Sequence, residues 1–129
     1  MFDISLIYKV LRRSLKRESR NGRSNHKLAE GKDGLISLLI HDIFGGEILK
    51  TRIKNGWHFY NRINGKRIDF TSKDMVKSSD DYSLEDIPSS PEETSGYVEK
   101  EEYTTFLMRF INLFEETYGL EKHKHILTV

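Results

Sequence analysis

One imidazole and two carboxylates in this chain stand where chemistry is possible. His58 lies in WHFYNRI and Asp69 in KRIDF, two extended-looking runs joined by Asn64-Gly65. An antiparallel pair closed by that dipeptide would set Asp69 beside His58 across the ladder. An acid that orients an imidazole is the base half of a nucleophilic triad. Asp33 opens the apolar run that follows Gly31 and Lys32, so its carboxylate could cap orphan N–H groups and meet the positive end of the helix dipole. A thiol nucleophile is excluded, because the chain has 0 cysteines. Ser37 is no substitute: it falls one turn inside the same helix, where its hydroxyl bonds back to the chain. The plainer reading of His58 and Asp69 is then a structural hydrogen bond.

The elements that must position these residues are legible around them. Leu35, Ile36, Leu38, Leu39, Ile40, Ile43 and Phe44 recur at both i+3 and i+4, which predicts a helix covered on most of its circumference. Gly45-Gly46 ends it. Alternation then predicts strands over Glu47–Ile53, Trp57–Ile63 and Lys66–Phe70, closed by hairpin turns at Asn55-Gly56 and Asn64-Gly65. Trp57, Phe59, Asn61 and Ile63 should share one face of the second strand, with His58, Tyr60 and Arg62 on the other. Thr71 or Ser72 should cap a short helix over Lys73–Val76.

Asp3 to about Arg20 reads as a first helix capped by Asp3, apolar at Ile4, Ile7, Tyr8, Leu11 and Leu15, with a solvated basic face opposite. Arg23–Glu30 reads as a polar loop. Lys77–Gly96 holds both prolines and many acids and serines, which predicts a flexible loop with one turn near Leu84–Ile87. Tyr97 to about Tyr118 should form the last helix, with a stripe of Tyr103, Phe106, Leu107, Phe110, Ile111 and Phe114 and a cap at Gly119. A terminal strand is expected in the tail at His125–Val129.

FGGEIL, WHFYNRINGKRIDFT and the glycine ahead of the buried helix resemble the YunG-like family of small bacterial proteins. That resemblance implies a compact papain/NlpC-type cysteine-hydrolase core. In such cores a Cys sits at the N-terminus of the buried helix, a His on a following strand, and an Asp or Asn on the next. The family's Gly-Gln-Cys is matched by Gly31, Lys32 and Asp33, so Asp33 replaces the nucleophile, while His58 and Asp69 match the other two. The loop before Gly31 also departs from the family, which places an aromatic and an Asn-Pro pair there. Drawn together in this way, Asp33, His58 and Asp69 are also the donor set of a facial metal triad, with Lys32 opposing a cation.

With 129 residues, 36% hydrophobic and 32% charged, the chain predicts a single domain over 1–129. No signal peptide or membrane-length apolar run is present, so a cytoplasmic protein without membrane partners is the expectation. The net charge of +1 hides a basic block over Lys9–Lys27 and an acidic block over Asp80–Glu102, which either face each other or present opposite poles to a partner. His123 and His125 alternate in the tail but supply only two ligands. Trp57, Phe59 and Tyr60 interleaved with Arg52, Lys54, Arg62, Lys66 and Arg67 could stack bases and neutralise phosphates, although one aromatic and one charged sheet face is the commoner meaning.

The reading that results is α+β: a buried central helix on a small antiparallel meander, flanked by N- and C-terminal helices. The expected function is a non-catalytic, degenerate cysteine-hydrolase-like module that binds a small molecule, peptide or protein, with no cofactor and no metal. Asp33, His58 and Asp69 are the vestigial catalytic candidates, and Trp57, Tyr60, Asn61 and Arg62 the binding candidates. The alternatives are a hydrolase or transferase that uses the three vestigial residues with water or a metal, and nucleic-acid binding through the basic first helix.

Overall fold

A computed structural model of the chain describes residues 3–16 and 31–127. The first helix, α1 (Ile4–Lys16), starts where expected: Asp3 Oδ1 accepts the Leu6 N–H at 3.0 Å. The expected continuation to Arg20 and the polar loop at Arg23–Glu30 fall outside the described residues. Its basic face differs from expectation at Arg12, which is buried and donates to the Phe70 carbonyl at 2.6 Å. Lys9 and Arg13 remain exposed.

Helix α2 (Asp33–Phe44) is buried without a break from Gly34 to Ile40, as its apolar run requires. Two glycines with positive φ, Gly45 at 83° and Gly46 at 80°, turn the chain into the sheet. Five antiparallel strands follow: β1 (Glu47–Ile53), β2 (Gly56–Ile63), β3 (Lys66–Ile68), β4 (Val76–Lys77) and β5 (Ile87–Ser89), in the order β4-β3-β2-β1-β5. The meander is therefore the centre of a wider sheet.

Its two hairpins differ. Asn64-Gly65 is a two-residue loop with φ of 52° and 79°, as the dipeptide demands. In the other, Ile53 pairs with Gly56, so the loop residues are Lys54 and Asn55, and Gly56 is the first residue of β2 with φ 151°. The expected Asn55-Gly56 turn is thus displaced by one residue. Among the described residues the positive φ values outside glycine are those of Asn64 and Asp86, so Lys54-Asn55 turns without the left-handed pair.

Beyond β3 the chain does not form the expected helix over Lys73–Val76. Asp69 N–H donates to the Met75 carbonyl at 2.8 Å, and the chain returns as β4. The acidic stretch after Lys77 likewise carries more structure than a loop with one turn. It supplies β5 and a short helix, α3 (Pro91–Ser95), capped by Ser90, whose side chain accepts the Glu93 N–H. The last helix, α4 (Lys100–Leu127), starts three residues later than expected and runs through Gly119, so the predicted cap is absent. His125–Leu127 of the expected terminal strand are helical, and the rest of it falls outside the described residues.

The helices lie on one side of the sheet. Leu6, Ile7, Val10, Leu11 and Leu15 of α1, residues of α2, and Phe106, Phe110 and Leu113 of α4 close a core over Ile63, Ile68 and Phe70. On the opposite sheet face, Leu49 and Tyr60 are buried, and the segment around Glu85 and Asp86 crosses over them. No helix among the described residues is long and apolar enough to cross a membrane.

Candidate functional site

The first turn of α2, the start of β2 and the end of β3 meet at one corner of the sheet. β3 ends at Ile68, so the Phe59 N–H of β2 has no strand partner at that point. Asp33 takes that place, its Oδ2 accepting the Phe59 N–H at 2.8 Å. This replaces the expected helix cap: the N-cap position is Lys32, which makes no side-chain cap bond, and Asp33 lies in the first turn. A buried strand N–H is satisfied, and the carboxylate still faces the positive helix end.

His58 lies between the two carboxylates. Its Nε2 is 2.6 Å from Asp69 Oδ2 and its Nδ1 is 3.5 Å from Asp33 Oδ2. A carboxylate can only accept, so Nε2 carries the proton toward Asp69. Asp69 is itself fixed by a tight turn, its Oδ1 accepting Thr71 N–H at 3.0 Å and Thr71 Oγ1–H at 2.5 Å. The hydrogen bond to Asp69 raises the His58 pKa above its ordinary value; burial opposes this, and the charges of Asp69 and Asp33 reinforce it. Burial raises the Asp69 pKa, but the hydrogen bonds from His58 and Thr71 outweigh it and leave the carboxyl below its ordinary value.

All three residues expected from the sequence are therefore brought together. They do not converge on one point: the imidazole separates the carboxylates, and no group of three His, Cys, Asp or Glu suited to a metal ion occurs among the described residues. The tail histidines His123 and His125 lie on the backbone of α4 and not on a strand.

The four binding candidates do not share a surface. Trp57 lines a pocket beside Asp33. Tyr60 is buried on the opposite face, where its hydroxyl donates to Asp86 Oδ1 at 2.7 Å. Burial and the hydrogen bond to Asp86 push its pKa well above the phenol range. Asn61 is buried and donates to the Ser37 carbonyl at 3.0 Å, tying α2 to β2. Arg62 makes a two-pronged ion pair with Glu47, at 2.7 and 3.0 Å.

The pocket holds about 170 Å³ between Asp33, Gly34, Trp57, Phe59, Tyr97 and Glu102, with Gly31, Leu35 and Val98 completing its lining. The sequence gives no sign that Tyr97 and Glu102 belong to this site, because nothing local shows that the entry to α4 folds back over Gly34. One feature was available: Gly34 has no side chain at a place where a Cβ would lie 3.4 Å from Val98 Cγ2 and 3.8 Å from the Phe59 ring.

The charge blocks do not face each other among the described residues. Acidic residues pair instead with bases of the sheet: Asp86 with Arg67 at 2.5 Å, Glu93 with Lys50 at 2.9 Å and Glu85 with Arg52 at 3.7 Å. Those partnerships occupy Arg67, Lys50 and Arg52, basic residues of the sheet that could otherwise neutralise phosphates.

Comparison with known proteins adds the lineage. Over 94 residues the chain is 39% identical to "Uncharacterized protein YunG" of Bacillus subtilis (strain 168), which covers 73% of this chain and 79% of that protein. No solved structure matches it. The model of the YunG protein family matches residues 3–115, so the chain belongs to that family.

Proposed function

We propose that this protein is a non-catalytic binding module on a cysteine-hydrolase-like core, with Asp33 in the place of the nucleophile. One observation carries the reading: Asp33, at the first turn of α2, faces His58 Nδ1 at 3.5 Å while Asp69 holds Nε2 at 2.6 Å. That is an acid–base–nucleophile order with a carboxylate at the end where a thiolate would stand. A carboxylate is a poor nucleophile toward amides, and two flanking carboxylates favour the imidazolium, which has no lone pair to activate water. The architecture is kept and the reactivity removed, which suits a site that holds a ligand without cutting it.

The rival is a hydrolase in which His58 activates water. It is favoured by the 3.5 Å gap at Nδ1, which is too long for a hydrogen bond and leaves that nitrogen able to engage a third group. Turnover of a p-nitrophenyl ester and of a peptide nitroanilide separates the two. The binding reading expects the wild type and His58→Ala to release product at the same rate. Release that depends on His58 would establish the hydrolase.

A further inference from the structure

We infer that the pocket beside Asp33 takes a primary alkylammonium group. The inference rests on the reading of this site as one that binds, and names the chemical class it binds. Three aromatic rings, Trp57, Phe59 and Tyr97, line the pocket, and the titratable groups among them at its edge are the carboxylates of Asp33 and Glu102 together with the Tyr97 phenol. Aromatic faces and carboxylates attract the same kind of ligand, a cation with an apolar stem.

Each carboxylate has one oxygen engaged and one open. Asp33 Oδ2 accepts the Phe59 N–H, and Glu102 Oε2 accepts from Lys32 Nζ at 2.9 Å. The second oxygen of each accepts no hydrogen bond within the described residues. A primary ammonium brings three donors to such oxygens, whereas an anion would be repelled and a neutral alkane would strip their water without replacing it.

The chain already makes both contacts with its own lysines at the pocket's border. Lys50 Nζ stands 4.3 Å over the Trp57 ring, and Lys32 Nζ pairs with Glu102. Lys32 is thus an internal competitor for the acidic edge. Arg52, whose guanidinium lies 5.9 Å from the Trp57 ring centroid, is a further fixed cation nearby, and His58, between Asp33 and Asp69, is one whose charge would weaken the attraction as pH falls. The volume of about 170 Å³ is that of roughly six water-sized groups, which fits an unbranched amine of butyl to pentyl length.

The test is titration of the full chain with pentylamine hydrochloride, following Trp57 fluorescence and NMR signals of Trp57 and Gly34, with 1-pentanol and pentanoate as neutral and anionic counterparts of the same length. Saturable binding of pentylammonium and weak or absent binding of the other two is expected. Glu102→Gln and Asp33→Asn should each weaken it about tenfold, the value of one charge-assisted contact. Lys32→Met, which removes the competitor, should tighten it. Pentanol or pentanoate binding equally well, no saturation by pentylammonium up to tens of millimolar, or affinity unchanged in Glu102→Gln would overturn the inference. His58-dependent ester turnover would instead overturn the underlying binding reading, whatever the amine does.

Discussion

At the scale of single residues, His58 and Asp69 form one bond that stabilises both the charged imidazole and the charged carboxyl. The two shifts describe one interaction and count once. Because the folded-state pKa of His58 is raised, its contribution is fully present below the ordinary value of 6.5 and is lost as pH rises through the folded value. Because that of Asp69 is lowered, its contribution is present above the ordinary 3.8 and is lost as pH falls through the folded value. The pair therefore stabilises most between those two ordinary values. Asp69→Asn should bring the His58 pKa down and flatten the dependence of urea-melt stability on pH above 6.5. An NMR titration of the His58 ring checks the first effect; an unmoved pKa would show that Asp69 is not its partner. These residues were legible because the hairpin fixes which residues share a face. β3 stops at Ile68, short of the expected Phe70, and Asp69 just beyond it falls opposite Tyr60, diagonal to His58 on the same face. Glu102 and Tyr97 were not, because their approach depends on how a distant helix packs, which no local pattern encodes.

At the scale of elements, the buried helix and the three central strands could be read from periodicity alone, since burial on one or both faces writes itself into the apolar pattern. Edges were less legible. β4 and β5 are two and three residues long, too short for alternation to show, and β5 contains Pro88 at a sheet edge. The Asn55-Gly56 cue was right about a hairpin and wrong by one residue in register, because a glycine serves equally as a turn residue or as the first strand residue after it. The link from α2 to β1 supplies a sharper test. Gly45 and Gly46 both have positive φ, but a Cβ on Gly45 meets nothing within 4 Å. On Gly46 it would lie 2.7 Å from the Arg62 carbonyl oxygen and 2.9 Å from Ile63 Cγ1. Gly45→Ala should cost about 1 kcal/mol from backbone strain alone. Gly46→Ala should cost more than that, at least about 2 kcal/mol, because strand β2 must move as well. Equal midpoints in parallel urea melts would mean that the close approach is not present.

At the scale of the whole molecule, opposite charges are brought together in an arrangement that the sequence left open. The acidic stretch wraps the β1 side of the sheet and does not lie across the described part of α1. Asp86 meets Arg67 on the Tyr60 face, and Glu85 and Glu93 meet Arg52 and Lys50, which share the Trp57 face. Charge blocks say that attraction exists; which surfaces meet is settled by the connection through β5, whose pairing with β1 fixes where Glu85, Asp86 and Glu93 fall. Asp86 shows the result, accepting from Arg67 and from Tyr60 while held at φ 56°. With one face closed by this segment and the other by three helices, the corner where α2 and β2 start and β3 ends is where Asp33 and His58 come partly to the surface, at 20% and 26% side-chain exposure. The proposed binding site is at that corner.

The most direct test of that assignment is Asp33→Cys, which installs a single thiol in a chain that has 0 cysteines. The rate of iodoacetamide alkylation is followed against pH, in this variant and in the same variant carrying His58→Ala. If Asp33 stands at the nucleophile's place, the helix N-terminus and the adjacent imidazolium stabilise the thiolate, and the profile shifts below the ~8.5 of a free cysteine. Removal of His58 should then move it back toward that value. A profile like that of a free thiol, unchanged by His58→Ala, would contradict the account, leaving Asp33 as a strand-capping carboxylate outside any such site.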